Sequence, residues 1–396
     1  MIGADDGVRT RDLNLGKVPR YQLRYVRIMV TSNQGAKSIA RGAKGAKVFK
    51  KQVKLFDLYK YWRMDSAIEP CFWMGGRLAT ELVEITNNPE EIDRNSEDFW
   101  AISTTFAGEF IGARFRNVSI SEWPYPFKKL KNNSWVSSHN REEYCQLVTN
   151  IREEIAAGNV YQVNACRVLS CESAEGLSGL LAGFLKHNPA KFAGYLKLPG
   201  IEIASASPET FLKRRGEILS TSPIKGTRPL GIKGDFPEKD QSENIMIVDL
   251  MRNDLGKVCV ENSITTPRLL SIEDLPGLTH LVSDVEGELR EGVTWSQIFA
   301  ATLPPGSVSG APKHSAIKII EKFEAIDRGP YCGAFGWIQG DQAELAVAIR
   351  TFWSDGKSIK FGTGAGITWS SDPNLEWEET ELKAHRLMAI ASGKLV

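Results

Sequence analysis

The sequence has no run that approaches the roughly 18 consecutive apolar residues of a membrane-spanning helix. Its N-terminal stretch has no apolar segment of the kind a secretory signal carries. Six cysteines are present and none forms a C-x-x-C pair, which argues against a structural zinc site and fits a reducing compartment. Histidine is scarce, at five residues, and no His/Cys cluster of metal-binding type occurs. There is no G-x-S-x-G elbow. PPGSVSGAP, at 304–312, is not a phosphate loop, and GTGAGI, at 362–367, has Ile367 where G-x-G-x-x-G needs glycine.

What is present describes an ordinary globular chain. It has 396 residues, 42% of them apolar and 24% charged, enough for a sizeable core and wrong for a collagen-like or wholly disordered protein. A net charge of +1 hides an asymmetry: residues 1–60 carry 14 Lys and Arg against 4 Asp and Glu, a net of +10, leaving −9 for the rest. The basic segment 1–60 reads as a poorly ordered arm, or as a contact for nucleic acid or anionic lipid. Residues 61–135 read as a partial β-rich region, with runs such as FWMGGRLATELVEI and a Pro/Lys/Asn connector at 123–133.

From residue 136 to 396 one larger domain is expected. Tyr144, Leu147, Ile151 and Ile155 recur at helical spacing within 142–157, and YQVNACRVLS then reads as a strand. Hairpins are expected to turn at Gly216 and at Asp355-Gly356. Helices are expected over 177–187, 241–255, 307–323 and 373–391. Hairpins with helices between them predict an α+β fold, a two-part sandwich of largely antiparallel sheets flanked by helices.

Several residues invite chemistry. On the 241–255 helix, Glu243 shares a face with Ile247, Leu250 and Asp254. On the last helix, Asp372 is suited to the N-cap and Pro373 to the first position, so that Glu376, Glu379 and Lys383 form one stripe. Such carboxylates suit either a hard cation or a solvated acidic face. In a strand LAVAIRTFW, Ala346, Ala348 and Arg350 would share a side, leaving room for an anion to be gripped by the arginine, unless that arginine is simply exposed. Lys225, between Ile224 and Gly226 in PIKGTRP, is a surface lysine or a positioned nucleophile. His280, on a strand, is a satisfied core histidine or a functional one.

The motifs SASPETF, PIKGTRP, ENIMIVDLMRNDLG, HLVSDVEGEL, PPGSVSGAPK, RGPYCGAFG, AIRTF, GTGAGI and EWEETELKA stand in the order found in chorismate-utilising enzymes, which this sequence resembles over about 140–391. The resemblance implies the fold of anthranilate synthase component I. It implies Mg²⁺ held by Glu243, Glu379 and Glu376, and a substrate gripped by Arg350, Tyr331, Gly364 and Gly366, with Gly226, Thr227, His280 and Lys383 beside it. Isochorismate and salicylate synthases carry a water-activating lysine where this chain has Gln162, so ammonia is the implied nucleophile. Lys225 stands where anthranilate synthases have alanine and aminodeoxychorismate synthases have lysine. The nearest branch is therefore aminodeoxychorismate synthase component I, with Lys225 attacking the ring and Glu209 as acid. The other readings are anthranilate synthase component I and an inactive scaffold for an amidotransferase. With no G-x-C-x-G loop in the chain, glutamine use implies a separate amidotransferase subunit, component II. No nucleic-acid or membrane partner is implied, and a cytoplasmic location is.

Overall fold

A computed structural model describes residues 68–394, apart from 233, 276, 277 and 325. The basic segment 1–60, residues 61–67 and the side chain of Thr227 lie outside the described residues.

The described chain begins with β1 (Cys71–Met74), β2 (Arg77–Thr86), helix α1 (Glu90–Arg94), β3 (Phe99–Thr104) and β4 (Phe110–Ile120). Then come β5 (Val136–Ser137), α2 (Arg141–Ala156), β6 (Gln162–Glu172) and α3 (Ser178–His187). Four strands follow: β7 (Phe192–Leu198), β8 (Ile201–Ser207), β9 (Thr210–Arg215) and β10 (Ile218–Ser222). After β11 (Ile224–Pro229) come α4 (Glu238–Leu255), β12 (Thr265–Leu275), β13 (Leu278–Glu288) and α5 (Trp295–Thr302). A 3-10 turn at Gly306–Val308 and β14 (Gly310–Ala311) lead into α6 (Lys313–Phe323). The last elements are β15 (Ala334–Gln339), β16 (Gln342–Val347), β17 (Thr351–Ser354), β18 (Ser358–Ile367) and α7 (Pro373–Ala391).

The strands are hydrogen-bonded into one network, and the pairings within it are antiparallel. This is the helix-flanked antiparallel α+β fold expected, with its two parts joined. Period-2 alternation sorts the core. On β1, Phe72 and Met74 enter a large apolar cluster with Phe99, Trp100, Phe335 and Leu345, while Cys71 and Trp73 face a second with Leu180, Phe184, Phe352 and Leu387. The first core joins strands to helices α4 and α5 through Ile247, Met251, Ile298 and Phe299, and the second lies between the sheet and helices α3 and α7. Strands β1 and β3, from before residue 135, pair with β7 and β15, so the early strands and the later domain share one sheet and one core.

Local signals explain the helix starts. Asn140 accepts from Glu143 N while the Glu143 carboxylate accepts from Asn140 N, a capping box that opens α2. Two expectations need correction. The helix expected from residue 307 begins at Lys313, because Pro312 precedes it and residues 306–311 fold as a 3-10 turn and a short strand. The strand expected to run unbroken through LAVAIRTFW stops at Val347 and restarts at Thr351, with Arg350 in the left-handed region at φ 52°. The cause is tertiary. β16 pairs with β15 and β9, whereas β17 pairs with β8 and β18, so the chain changes partners here. Its peptides bond instead across the gap, Ala348 N to Gly333 O at 2.8 Å and Ala206 N to Arg350 O at 3.0 Å. Arg350 therefore does not share a strand face with Ala346 and Ala348.

Candidate active site

Helix α7 sets one wall. The Asp372 side chain accepts from Asn374 N and Leu375 N, and Pro373 takes the first turn. That start fixes the rotation of the helix, so Glu376 is buried while Glu379 and Lys383 follow on the expected stripe. Lys383 Nζ pairs with Glu379 at 2.6 Å and donates to Gly364 O at 3.0 Å, tying α7 to β18. Burial pushes the Glu376 carboxyl up, and neighbouring Glu379 pushes it further. Burial would also raise Glu379, but Lys383, Lys239 and Lys225 outweigh it and hold its pKa down.

Helix α4 sets the facing wall. Glu243 is half-buried there, and Asp240 has a pKa raised by burial, with Glu379 adding to the rise and Lys239 and Lys225 opposing it. Carboxylates from two helices thus act on one another, with lysines between them. Lys239 and Asp240 were not among the expected site residues; their place in the first turn of α4, beside the acidic face, was the available signal.

β11 carries Lys225 past these helices. Its side chain is half-buried, and Nζ reaches the Ser307 carbonyl at 3.4 Å. Gly226 is required by crowding and by its φ of +79°: a Cβ there would stand 2.7 Å from the Phe236 ring and 3.1 Å from the Asp240 carboxylate. Thr227 lies opposite His280 in the β11–β13 register. His280 is buried. Burial lowers its pKa, the Arg350 charge lowers it further and Glu273 opposes, so the ring is neutral at physiological pH. Glu209 is 5% exposed. Burial raises its pKa, against the pull of Ser307, Lys225, Lys383 and Arg350. Arg350, whose pKa burial lowers against the opposing pull of Glu209, makes no side-chain hydrogen bond or ion pair within the described residues. A charge-bearing fork held without a protein partner is suited to an anion.

The glycines of β18 form a floor. Tyr331 is buried with its ring across Gly362, and its hydroxyl would lie 3.2 Å from a Cβ on Gly364. A Cβ on Gly366 would meet Gln162 Nε2 at 2.6 Å. Gln162 is 3% exposed, and both atoms of its amide are buried without a partner. Buried polar atoms in that state are uncommon and point to a missing ligand.

Lys383, Glu209 and Lys225 link Gly364, Arg350 and Glu379 into one neighbourhood, and Glu243 lies on the same helix as Asp240. The fit to a divalent cation is one of donor chemistry. Crowded carboxylates from α4 and α7 suit a hard ion completed by water and substrate oxygens, but among the described residues no group of three or more potential ligands is gathered as a ready cluster, and Glu379 is engaged by Lys383. A cavity of about 630 Å³ lined by Asn87, Glu109, Phe110 and Phe299, among others, contains none of the expected site residues.

Known proteins share this arrangement of chain. The chain is 36% identical over 276 residues to anthranilate synthase component 1 of Saccharolobus solfataricus, covering 67% of this chain and 65% of that protein. It is 33% identical over 266 residues to aminodeoxychorismate synthase component 1 of Bacillus subtilis, covering 63% of this chain and 56% of that protein. It superposes on the crystal structure of anthranilate synthase component I from Streptococcus pneumoniae with a TM-score of 0.69 at 20% identity, covering 89% of this chain and 100% of that one. The chain thus spans between half and two thirds of the length of the curated relatives it matches. The model of the chorismate binding enzymes matches residues 117–389, which include every expected site residue, and the chain belongs to that family.

Proposed function

We propose that this chain is an aminodeoxychorismate synthase component I, replacing the C4 hydroxyl of chorismate by an amine to give 4-amino-4-deoxychorismate, the precursor of 4-aminobenzoate for folate. The observation that carries the reading is the placement of Lys225, half-buried, at the Ser307 carbonyl and within electrostatic reach of the buried Glu209 carboxyl. A nucleophile stands beside an acid, where the alanine of anthranilate synthases would leave the acid alone.

Arg350 and Tyr331 would hold the substrate's carboxylate, with the Gly364 and Gly366 backbone beneath it. Neutral His280, Gly226 and Thr227 would border the ring. Glu243 and Glu379, with Glu376 behind them, would hold Mg²⁺, which offsets the charge of a dianionic substrate. Lys225 attacks C2 of the ring. The double bond shifts, the C4–O bond breaks, and Glu209 protonates the departing hydroxyl. Burial of Glu209 supports this role by favouring its acid form. Ammonia then bonds at C4 and the lysine leaves from C2. With Gln162 in place of a lysine, no base is present there to activate water. Ammonia would come from glutamine through a separate amidotransferase subunit, in the cytoplasm, where free cysteines such as Cys166 and Cys332 stay reduced.

A second reading, anthranilate synthase component I, is favoured by the Saccharolobus solfataricus relative's name. Incubation with chorismate, Mg²⁺ and ammonium, followed by mass spectrometry of the product, separates the two. We expect 4-amino-4-deoxychorismate with its enolpyruvyl group retained; anthranilate with release of pyruvate would overturn the proposal.

A further inference from the structure

Ser307 lies in the 3-10 turn Gly306–Val308 and is 9% exposed. Its hydroxyl oxygen is sealed from solvent and forms no complete hydrogen bond to a described residue. Its carbonyl, however, accepts from Lys225 Nζ at 3.4 Å. The Glu209 carboxyl lies close enough for the Ser307 hydroxyl to offset part of the upward push of burial on its pKa. One residue, 82 positions along the chain from Lys225, thus stands beside both the amine and the carboxyl.

These two groups have opposite needs. Lys225 attacks only as a neutral amine, and Glu209 donates only as a neutral acid. An ammonium facing a carboxylate is the unreactive pair. Moving one proton from the first to the second makes the reactive pair with no exchange with water. The surroundings hold this proton between them. Glu209 is faced by Lys225, Lys383 and Arg350, and Lys225 by Glu209, Asp240 and Glu379.

We propose that Ser307 is the positioning residue that bridges Lys225 and Glu209, its hydroxyl passing the proton from amine to carboxyl. The bridge rests on the amination reading above. Oγ takes a proton from Nζ as it gives its own to the Glu209 carboxylate, so Ser307 ends unchanged. The neutral amine bonds to C2, the ring double bond shifts, and the C4 hydroxyl leaves as water with the Glu209 proton. The lysine nitrogen is then a secondary ammonium and Glu209 a carboxylate, which restores the net charge of the unreactive pair. The unmatched hydroxyl is explained: its two partners close on it when substrate narrows the gap between them.

The test is Ser307→Ala in the full chain with chorismate, Mg²⁺ and ammonium. We expect kcat to fall about tenfold or more, with the KM for chorismate within about twofold, and the solvent deuterium isotope effect on kcat to grow. A residue that only fills space would leave the isotope effect unmoved, and wild-type kcat and isotope effect in the variant would overturn the bridge. Should the variant not fold, the wild-type protein decides. Its single-turnover rate against deuterium fraction is expected to curve, because two protons move together, and a straight line would overturn the proposal. If the wild-type chain releases anthranilate, the amination reading fails and the bridge with it. If it releases the 4-amino product while Ser307→Ala keeps wild-type kinetics, the bridge alone fails.

Discussion

Tyr331 lies flat across Gly362, so closely that a Cβ on the glycine would stand 2.1 Å from the ring's Cγ. No side chain fits between them. Gly362→Ala must therefore displace a buried ring, and overpacking of this kind costs about 1–3 kcal/mol. Because Tyr331 also faces Gly364, we expect the chorismate KM to rise along with the loss of stability. Steady-state kinetics and denaturant unfolding check both.

Lys225→Ala removes the amine but leaves the carboxyl and the substrate grip. Formation of the 4-amino product should fall by about two orders of magnitude or more, as for loss of a positioned reacting group. Any residual turnover should shift towards anthranilate. Mass spectrometry of the products reads this, and an unchanged rate and product would remove the lysine from the reaction.

Glu209→Gln preserves shape and removes the proton donor. We expect kcat to fall about 10²–10⁴-fold. Stability should move the other way. Burial raises the Glu209 pKa above its usual 4.5, so the folded state binds this proton more tightly than the unfolded state. The resulting stabilisation is present in full below pH 4.5 and is lost as pH rises through the folded pKa. Glutamine never ionises, so the melting temperature of the variant relative to wild type should climb as pH rises above 4.5. A difference that stays flat or falls would contradict it.

Gln162→Met keeps length and removes the two unpartnered amide atoms. Each such buried atom costs about 1–3 kcal/mol when unmatched. The variant should unfold at higher denaturant and lose turnover, since a ligand is the remaining partner for those atoms. A stabilised variant with full activity would show that the amide serves nothing in the reaction.

Asp254 is 2% exposed and pairs with Lys313 at 2.5 Å and with Lys257 at 2.9 Å. Lys313 also donates to Thr302 O at 2.8 Å, so this cluster fastens α4 to the ends of α5 and α6. Burial lowers the Lys313 pKa while Asp254 supports its charge. Asp254→Ala leaves that ammonium without its counterion and should cost about 3 kcal/mol, because breaking a buried pair strands one charge. Urea titration measures the loss, and a cost below about 1 kcal/mol would place the pair with weak surface bridges.

What could be read from the sequence follows the range of the interactions involved. α7 was legible at both ends, because Asp372 and Pro373 supply a cap and a first turn within three residues of each other. Its stripe of Glu376, Glu379 and Lys383 followed from helical spacing alone. Arg350 was singled out by resemblance, but its backbone was not legible, since its left-handed φ follows from a change of sheet partner that no local signal announces. Pro312 did mark the true start of α6, and weighing it above the apolar spacing would have placed the boundary correctly. Short α1 and α5 went unread; α5 is opened by a Thr294–Gln297 capping box that the sequence displays. Ser307 could not be paired with Lys225 from spacing, because only the fold brings residues 82 apart into contact.

The final helix has a consequence for biosynthesis. α7 supplies Glu376, Glu379 and Lys383, and it packs Leu387 and Ile390 into the core shared with α3 and β17. A ribosome must therefore extrude residues up to about 391 before the pocket can close. Until then the nascent chain exposes an apolar trough on its sheet, and a holding chaperone would find its best target in that interval.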